Sequence, residues 1–313
     1  MKTILGMSNL FRLSVVLLAC SPALGFECPS PVLLLNSVGQ DFTAQRNIKA
    51  EDLEVTVEGK RAPIISLALS SGPHRVVLIV DASSSMHPSD ERPGWRRTSL
   101  FTATFAADSA PEGAPLAMLT ISDEPRRESD AFETRERVER RIMDLAKTDP
   151  HGKTALFDSI DQALSLLGTP ELGDAIYVVS DGGDNHSHVS FSKLKEKLVS
   201  HGVRVFVFPL PVEKFRTTSE EQYGEDRMEQ LAEFSGGFVI RVPWSEIRGK
   251  EQAWLENSAT QIRDQAQAMY EVKLDIPGAS EHVRKVKIVV NKRTRNGGTL
   301  AYPRQLAACP SQP

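Results

Sequence analysis

Residues 76–86 read V-V-L-I-V-D-A-S-S-S-M, and this stretch decides the fold. Val76, Val77, Leu78, Ile79 and Val80 form a continuous apolar run rather than an alternating one. A strand that is apolar on both sides needs cover on both faces, which is the situation of a parallel sheet between helices. Open α/β sheets collect their ligand sites where such strands end and the chain turns into a crossover. Here the run ends in Asp81, with Ser83 and Ser85 following at alternate positions. One turn can aim these three oxygens at a common point, and oxygen-only ligands suit hard cations such as Mg²⁺, Ca²⁺ or Mn²⁺.

Three short side chains cannot complete an octahedral shell, so further ligands must come from elsewhere. Two later stretches have the right form. The sequence H-G-K-T-A-L at 151–156 sets Thr154 at the start of an apolar-periodic helix, and A-I-Y-V-V-S-D at 175–181 is a second buried-type strand ending in Asp181, followed by Gly182 and Gly183. A D-x-S-x-S string alone is ordinarily a helix N-cap cluster. Three pieces in order, two of them directly after buried strands, point instead to a site.

Asp81, Ser83, Ser85, Thr154 and Asp181 together resemble the metal-ion-dependent adhesion site of von Willebrand factor type A domains, with all five motif positions filled. The resemblance implies an α/β fold, a doubly wound and mostly parallel sheet flanked by helices. It also implies bound Mg²⁺, or Mn²⁺ or Ca²⁺, and a protein partner. A cation among mainly neutral oxygens keeps much of its charge, so the expected partner presents an Asp or Glu carboxylate that completes the coordination. Specificity is then expected from the loops 86–95, 122–132 and 184–189. Met86, Trp95 and Asp184 are the expected rim residues, with Trp95 alternatively tucked under its own loop.

Other chemistry fits less well. A P-loop would need glycine where Lys147 stands, and a strand rather than a charged helix before it. His186 and His188 form a His-x-His pair without a third ligand. A metal-dependent phosphoester hydrolase using Asp81 would need a base, for which His87, His151, His186 and His188 are the candidates. No catalytic residue is assigned and the expected class is a binding module rather than an enzyme; a scaffold with a vacant site is the further alternative.

The 313 residues carry a formal net charge of −4, and their basic clusters are interrupted by acids, which argues against general nucleic-acid binding. Lys2 and Arg12 flank a stretch that leads into a short apolar core over 13–19, too short to span a bilayer. Ala23-Leu24-Gly25 supplies a small-x-small cleavage site, so 1–25 reads as a signal peptide and the protein as secreted or periplasmic in a bacterium. Leu17-Leu18-Ala19-Cys20 offers the competing reading of a lipid anchor at Cys20. Cys28 and Cys309 remain as an even pair and read as a disulfide tethering the two ends, with two free thiols as the alternative.

The rest of the chain alternates strands and helices from 75 to 242, the period of βα units. Expected helices cover 96–107, 134–145, 154–167, 191–200 and 227–234, and expected strands 116–121, 203–208 and 238–242, with 126–132 as a short edge strand. Ahead of these, 53–57 and 62–69 read as a hairpin across Glu58-Gly59-Lys60, and its form resembles the leader of secreted bacterial, acidobacterial-type, members of the same family. After them come a helix over 252–269 and a strand pair over 270–276 and 283–290. The expected division is thus 1–25 signal peptide, 26–72 β-hairpin segment, 73–250 α/β domain, and 251–313 a helix and strand pair packing with the N-terminal segment.

Overall fold

The computed structural model describes residues 31–38, 43–70, 74–87, 94–211, 219–247, 249–276, 282–290 and 299–307. The segment 1–25 that reads as a signal peptide, Cys20, Cys28, Cys309, residues 88–93 and the side chain of Trp95 lie outside the described residues.

The chain begins with β1 (Val32–Val38), then β2 (Leu53–Val57), β3 (Lys60–Arg61) and β4 (Ile64–Leu69). Glu58 and Gly59 both have positive φ, 49° and 75°, the geometry of a two-residue turn that matches strand twist. The hairpin it closes is short. Pro63 has no N–H to give to a ladder, and beyond it β4 leaves β2 and joins the other sheet, against the expectation of one continuous hairpin.

The central sheet follows: β5 (Val76–Asp81), α1 (Trp95–Asp108), β6 (Leu116–Ile121), β7 (Arg126–Arg127), α2 (Arg135–Leu145), α3 (Leu156–Leu167), β8 (Ala175–Ser180), α4 (Phe191–His201), β9 (Arg204–Pro209) and α5 (Ser219–Ser235). Its strand order is β7-β6-β5-β8-β9, parallel except for the two-residue edge strand β7. β5 is central, and its side chains divide by alternation. Val76, Leu78 and Val80 join a core with α1 and α2, while Val77 and Ile79 join one with α3, α4 and α5. Each fully buried aliphatic side chain contributes ~1.5–3 kcal/mol, so apolar cover holds the strand and leaves its carboxyl end free for polar work.

Residues 238–242 form a single parallel bridge, Val207 to Val239, rather than a full strand. A Cβ on Gly237 would stand 1.9 Å from the Val205 carbonyl oxygen, so the chain meets β9 there backbone to backbone.

After α6 (Glu251–Gln267) come β10 (Met269–Leu274), β11 (Arg284–Val290), β12 (Thr299–Ala301) and β13 (Gln305–Leu306). β10 and β11 do not pair with each other. One four-stranded sheet runs β12-β1-β10-β4, the other β13-β11-β2-β3, and a third core lies between them with Leu35, Val55, Val272 and Ile288. α6 packs on two sides: Leu255, Ala259 and Ile262 enter the core beside α1, while its last turn meets the N-terminal segment, Asn36 Nδ2 donating to the Gln265 carbonyl at 2.7 Å and Arg46 pairing with Asp264 at 2.6 Å. Arg263 ties it to α1, its Nε and Nη2 donating to the Asp108 carbonyl at the C-terminus of α1 at 3.0 and 2.7 Å.

Candidate metal centre

Asp81 is fully buried at the carboxyl end of β5. Its Oδ1 accepts from the Ser83 amide (3.0 Å) and the Ser83 hydroxyl (2.6 Å), and its Oδ2 accepts from the Ser180 hydroxyl (2.6 Å). Burial pushes the Asp81 carboxyl up from its ordinary pKa, against the hydrogen bonds from Ser180 and Ser83 that pull it down. The carboxylate therefore sits in a dry place among neutral donors, an environment that a divalent cation would relieve. Because the Ser83 hydroxyl hydrogen is spent on Asp81, the lone pairs of its oxygen remain to face outward. Ser85 Oγ lies 3.1 Å from Ser83 Oγ, at the open end of this group.

Backbone bonds bring the other two pieces alongside. His151 N–H donates to the Ala82 carbonyl (2.9 Å) and Ser84 N–H to the Gly152 carbonyl (3.0 Å), so the loop carrying Thr154 is stitched to the D-x-S-x-S turn. Gly152 makes this possible. Its φ is +79°, and a Cβ there would meet Asp123 Oδ2 at 2.4 Å. On the other side Asn185 and His186 donate to the Thr154 carbonyl at 3.0 and 3.2 Å, and Asn185 Oδ1 accepts from Thr154 N–H. Thr154 and Asp181 are both nearly fully buried. Asp181 follows directly on β8, and its Oδ1 accepts from Gly183 N–H at 3.4 Å.

Acting together, the five expected residues would offer two carboxylates and three hydroxyls, all oxygen, a chemistry that suits a hard divalent cation and not a soft one. Among the described residues no group of three or more His, Cys, Asp or Glu forms a cluster of metal-binding form.

Of the expected rim residues, Met86 is wholly buried: the short 3₁₀ turn Ser84–Met86 rotates it into the core with α1, so it offers no surface to a partner. Asp184 is half-buried and occupied. Its Oδ1 accepts from Leu156 N–H (3.0 Å), Phe157 N–H (3.4 Å) and the Ser187 hydroxyl (2.5 Å), which makes it the cap of α3 rather than a free contact. Trp95 opens α1. Of the histidines, His188 bonds Asp158 at 3.0 Å and His151 Nδ1 faces the Asp149 carbonyl at 3.1 Å; neither hydrogen-bonds Asp81.

Reading the sequence alone misses three features of the site. Ser180 orients Asp81, and the pairing of Val80 with Val179 already sets it beside Asp81. Gly224 of α5 lies against Gly182 backbone to backbone, a Cβ on it standing 1.9 Å from the Gly182 oxygen. This contact brings the adjacent Tyr223, 63% exposed, to the flank of the site. On the opposite flank a cleft of about 210 Å³ is lined by Ala82, Ser122, Arg126, Thr148, Asp149 and His151 among others.

Residues 76–183 match the family model of the von Willebrand factor type A domain. Among solved structures the chain is similar to a von Willebrand factor type A protein from Catenulispora acidiphila, with TM-score 0.47, 11% identity, and coverage of 88% of this chain and 73% of that one. It is similar to the proximal thread matrix protein 1 of the mussel byssus, solved with a zinc-occupied MIDAS motif (TM-score 0.45, 15% identity, 68% and 50% coverage). A third is an aerotolerance-related membrane protein from Bacteroides fragilis (TM-score 0.41, 18% identity, 60% and 98% coverage). No curated protein matches the chain. No helix among the described residues is long and apolar enough to cross a membrane.

Proposed function

We propose that this chain, whose residues 76–183 carry a von Willebrand factor type A domain, is an exported binding module in which Asp81, Ser83, Ser85, Thr154 and Asp181 hold a divalent cation that accepts a carboxylate from a partner protein. The observation that carries the reading is the direction of the hydroxyl hydrogen. The Ser83 hydroxyl donates its hydrogen bond to a buried Asp81, which leaves lone pairs on its oxygen beside the Ser85 hydroxyl. When bound, the cation supplies an electrophilic point with an open coordination position. The chain's residues do the rest: Asp81 and Ser180 fix the first hydroxyl, Asn185 fixes Thr154, and neutral oxygens leave the cation its charge.

The partner's carboxylate would approach between Tyr223 and the cleft beside Ala82, where Arg126, Asp149 and His151 can meet the residues flanking it. An exposed aromatic at the rim of a polar site is a common anchor of protein contacts. Of the four histidines a hydrolase would draw on, His151 has its Nδ1 against the Asp149 carbonyl and His188 has its Nδ1 on Asp158, both engaged away from Asp81.

Water-proton relaxation of Mn²⁺ added to the protein tests the reading without a known partner. Bound Mn²⁺ should enhance the relaxation, because an open position keeps exchangeable water, and acetate should reduce that enhancement by occupying it. Bound Mn²⁺ that shows no enhancement, or an enhancement that acetate leaves untouched, would contradict a carboxylate-accepting site.

A further inference from the structure

The terminal sheets end in strands whose edges are treated very differently. A free strand edge offers unpaired N–H and C=O groups to any passing strand, and folded proteins ordinarily blunt it with charge, shortness or cover. β3 is two residues long and is Lys60–Arg61; β7 is Arg126–Arg127; β13 has two residues and β12 three. The outer edge of β9 is met by the bridge to Val239. β4 is the exception among the described strands in length and charge, although its register on β10 shifts between Ile64 and Ser66, which bends the start of the strand. It is six residues long, I-I-S-L-A-L, it stands at the edge of its sheet, and no position from 62 to 73 carries a charge.

Which groups of β4 face outward follows from its pairing. Ser70 N–H donates to the Met269 carbonyl at 2.7 Å while Leu69 stands opposite Tyr270, so Leu69 and Leu67 occupy the positions that do not bond β10. Their N–H and C=O groups point away from the sheet. The side chains at that rim are apolar, with Ile65 52% and Leu69 46% exposed.

We propose that β4 pairs with β4 of a second copy of this chain, antiparallel about a twofold axis at Leu67, to join two four-stranded sheets into one of eight strands. The strand is complementary to itself in this register. Leu67 meets Leu67 of the second copy and exchanges both backbone hydrogen bonds with it. Leu69 falls opposite Ile65, the residue at which the β10 register shifts, so the exposed Leu69 meets an apolar rather than a charged neighbour, while Ser66 and Ala68 are opposed without crowding. The absence of charge along 62–73 is what favours a second copy, because an isologous contact sets each residue near its own kind and like charges there would repel.

Sedimentation velocity on the full chain, with and without Ile65→Lys, tests this. The wild type should move from the mass of one chain to that of two as concentration rises, and Ile65→Lys should stay at one. Val289→Lys, on the other sheet and 39% exposed, serves as the control and should dimerise as the wild type does. Should Ile65→Lys fail to fold by circular dichroism, Leu69→Lys takes its place. In the dimer the amides of Leu67 and Leu69 should be protected from hydrogen exchange. A wild type that is monomeric throughout, a dimer that survives the edge charge, or free exchange of both amides in the dimer overturns the proposal. A monomer with those amides protected would mean that another part of the chain covers the edge, and overturns it equally.

Discussion

Gly224→Ala is the substitution whose outcome separates two opposed effects most clearly. In an ordinary exposed helix, replacing glycine by alanine stabilises by about 1 kcal/mol. Gly224 lies inside α5, but it is buried, and its added Cβ would stand 1.9 Å from the oxygen and 2.3 Å from the carbonyl carbon of Gly182. An ordinary carbon to oxygen contact is about 3.3 Å, so helix and loop must part by more than about 1 Å. The obstacle is backbone on both sides, and no rotamer change relieves it. Overpacking of this kind costs about 1–3 kcal/mol, which outweighs the propensity gain. The net loss is expected near 1 kcal/mol, read as a drop of roughly 2–4 °C in Tm for a domain of this size. Because Asp181 is the residue before Gly182, the variant should also bind Mn²⁺ more weakly. Gly94→Ala is the control, since a Cβ there meets nothing within 4 Å. Thermal melts of both variants, followed by metal titration, would check this. A Gly224→Ala protein that melts higher than the wild type and binds metal equally well would refute the argument that α5 braces the site loop.

Three other substitutions bear on the frame around the site. Asp184→Ala should lower stability by about 1–2 kcal/mol in urea unfolding, with or without metal, because the residue caps α3; a loss seen only when metal is present would make it a rim residue after all. Arg204 is buried, burial brings its pKa down to about 10, and its Nη1 donates to Asn36 Oδ1 at 2.6 Å. Arg204→Met should therefore change stability by no more than about 1 kcal/mol, whereas Asn36→Ala should cost about 3 kcal/mol, because it strands the guanidinium and removes the bonds to the Gln265 and Ala268 carbonyls. Equal losses in the two would count against this asymmetry. Glu139 is pushed up to about 7 by burial and then by the neighbouring Asp108 carboxylate. The folded protein binds more protons than the unfolded chain between about 4.5 and 7, so stability falls as pH rises through that window. Glu139→Gln should flatten this part of the profile by less than about 1 kcal/mol, given the solvent access of the site; an unchanged slope would contradict the assignment.

The central sheet was legible because burial on both faces writes itself as unbroken apolar runs, as in 76–80 and 175–179. The polar residues that end those runs were legible for the same reason, since they interrupt a pattern that has no other use for them. Met86 was misplaced because a three-residue 3₁₀ turn has no periodicity that would announce which way its last side chain faces. Asp184 reads as a rim residue in the sequence because a cap reaching across from another loop leaves no local mark; the amides it serves lie 28 and 27 residues earlier. The terminal strands read as strands set against the N-terminal hairpin, but that β10 takes β4 and β11 takes β2 in two separate sheets is not legible, because alternation fixes which face is buried and not which neighbour is paired. Pro63 was the one signal that β4 must leave the β2 ladder.

The most direct test of the account is calorimetric titration of Mg²⁺ and Mn²⁺ into chelator-stripped protein, beside a Ser83→Ala/Ser85→Ala double variant whose folding is confirmed by a thermal melt. Removing two of the five oxygen donors, and the hydroxyl that Asp81 orients, should abolish binding of a single ion that the wild type takes up. If the folded double variant binds that ion as tightly as the wild type, the cation is held elsewhere and the D-x-S-x-S turn is not a metal centre.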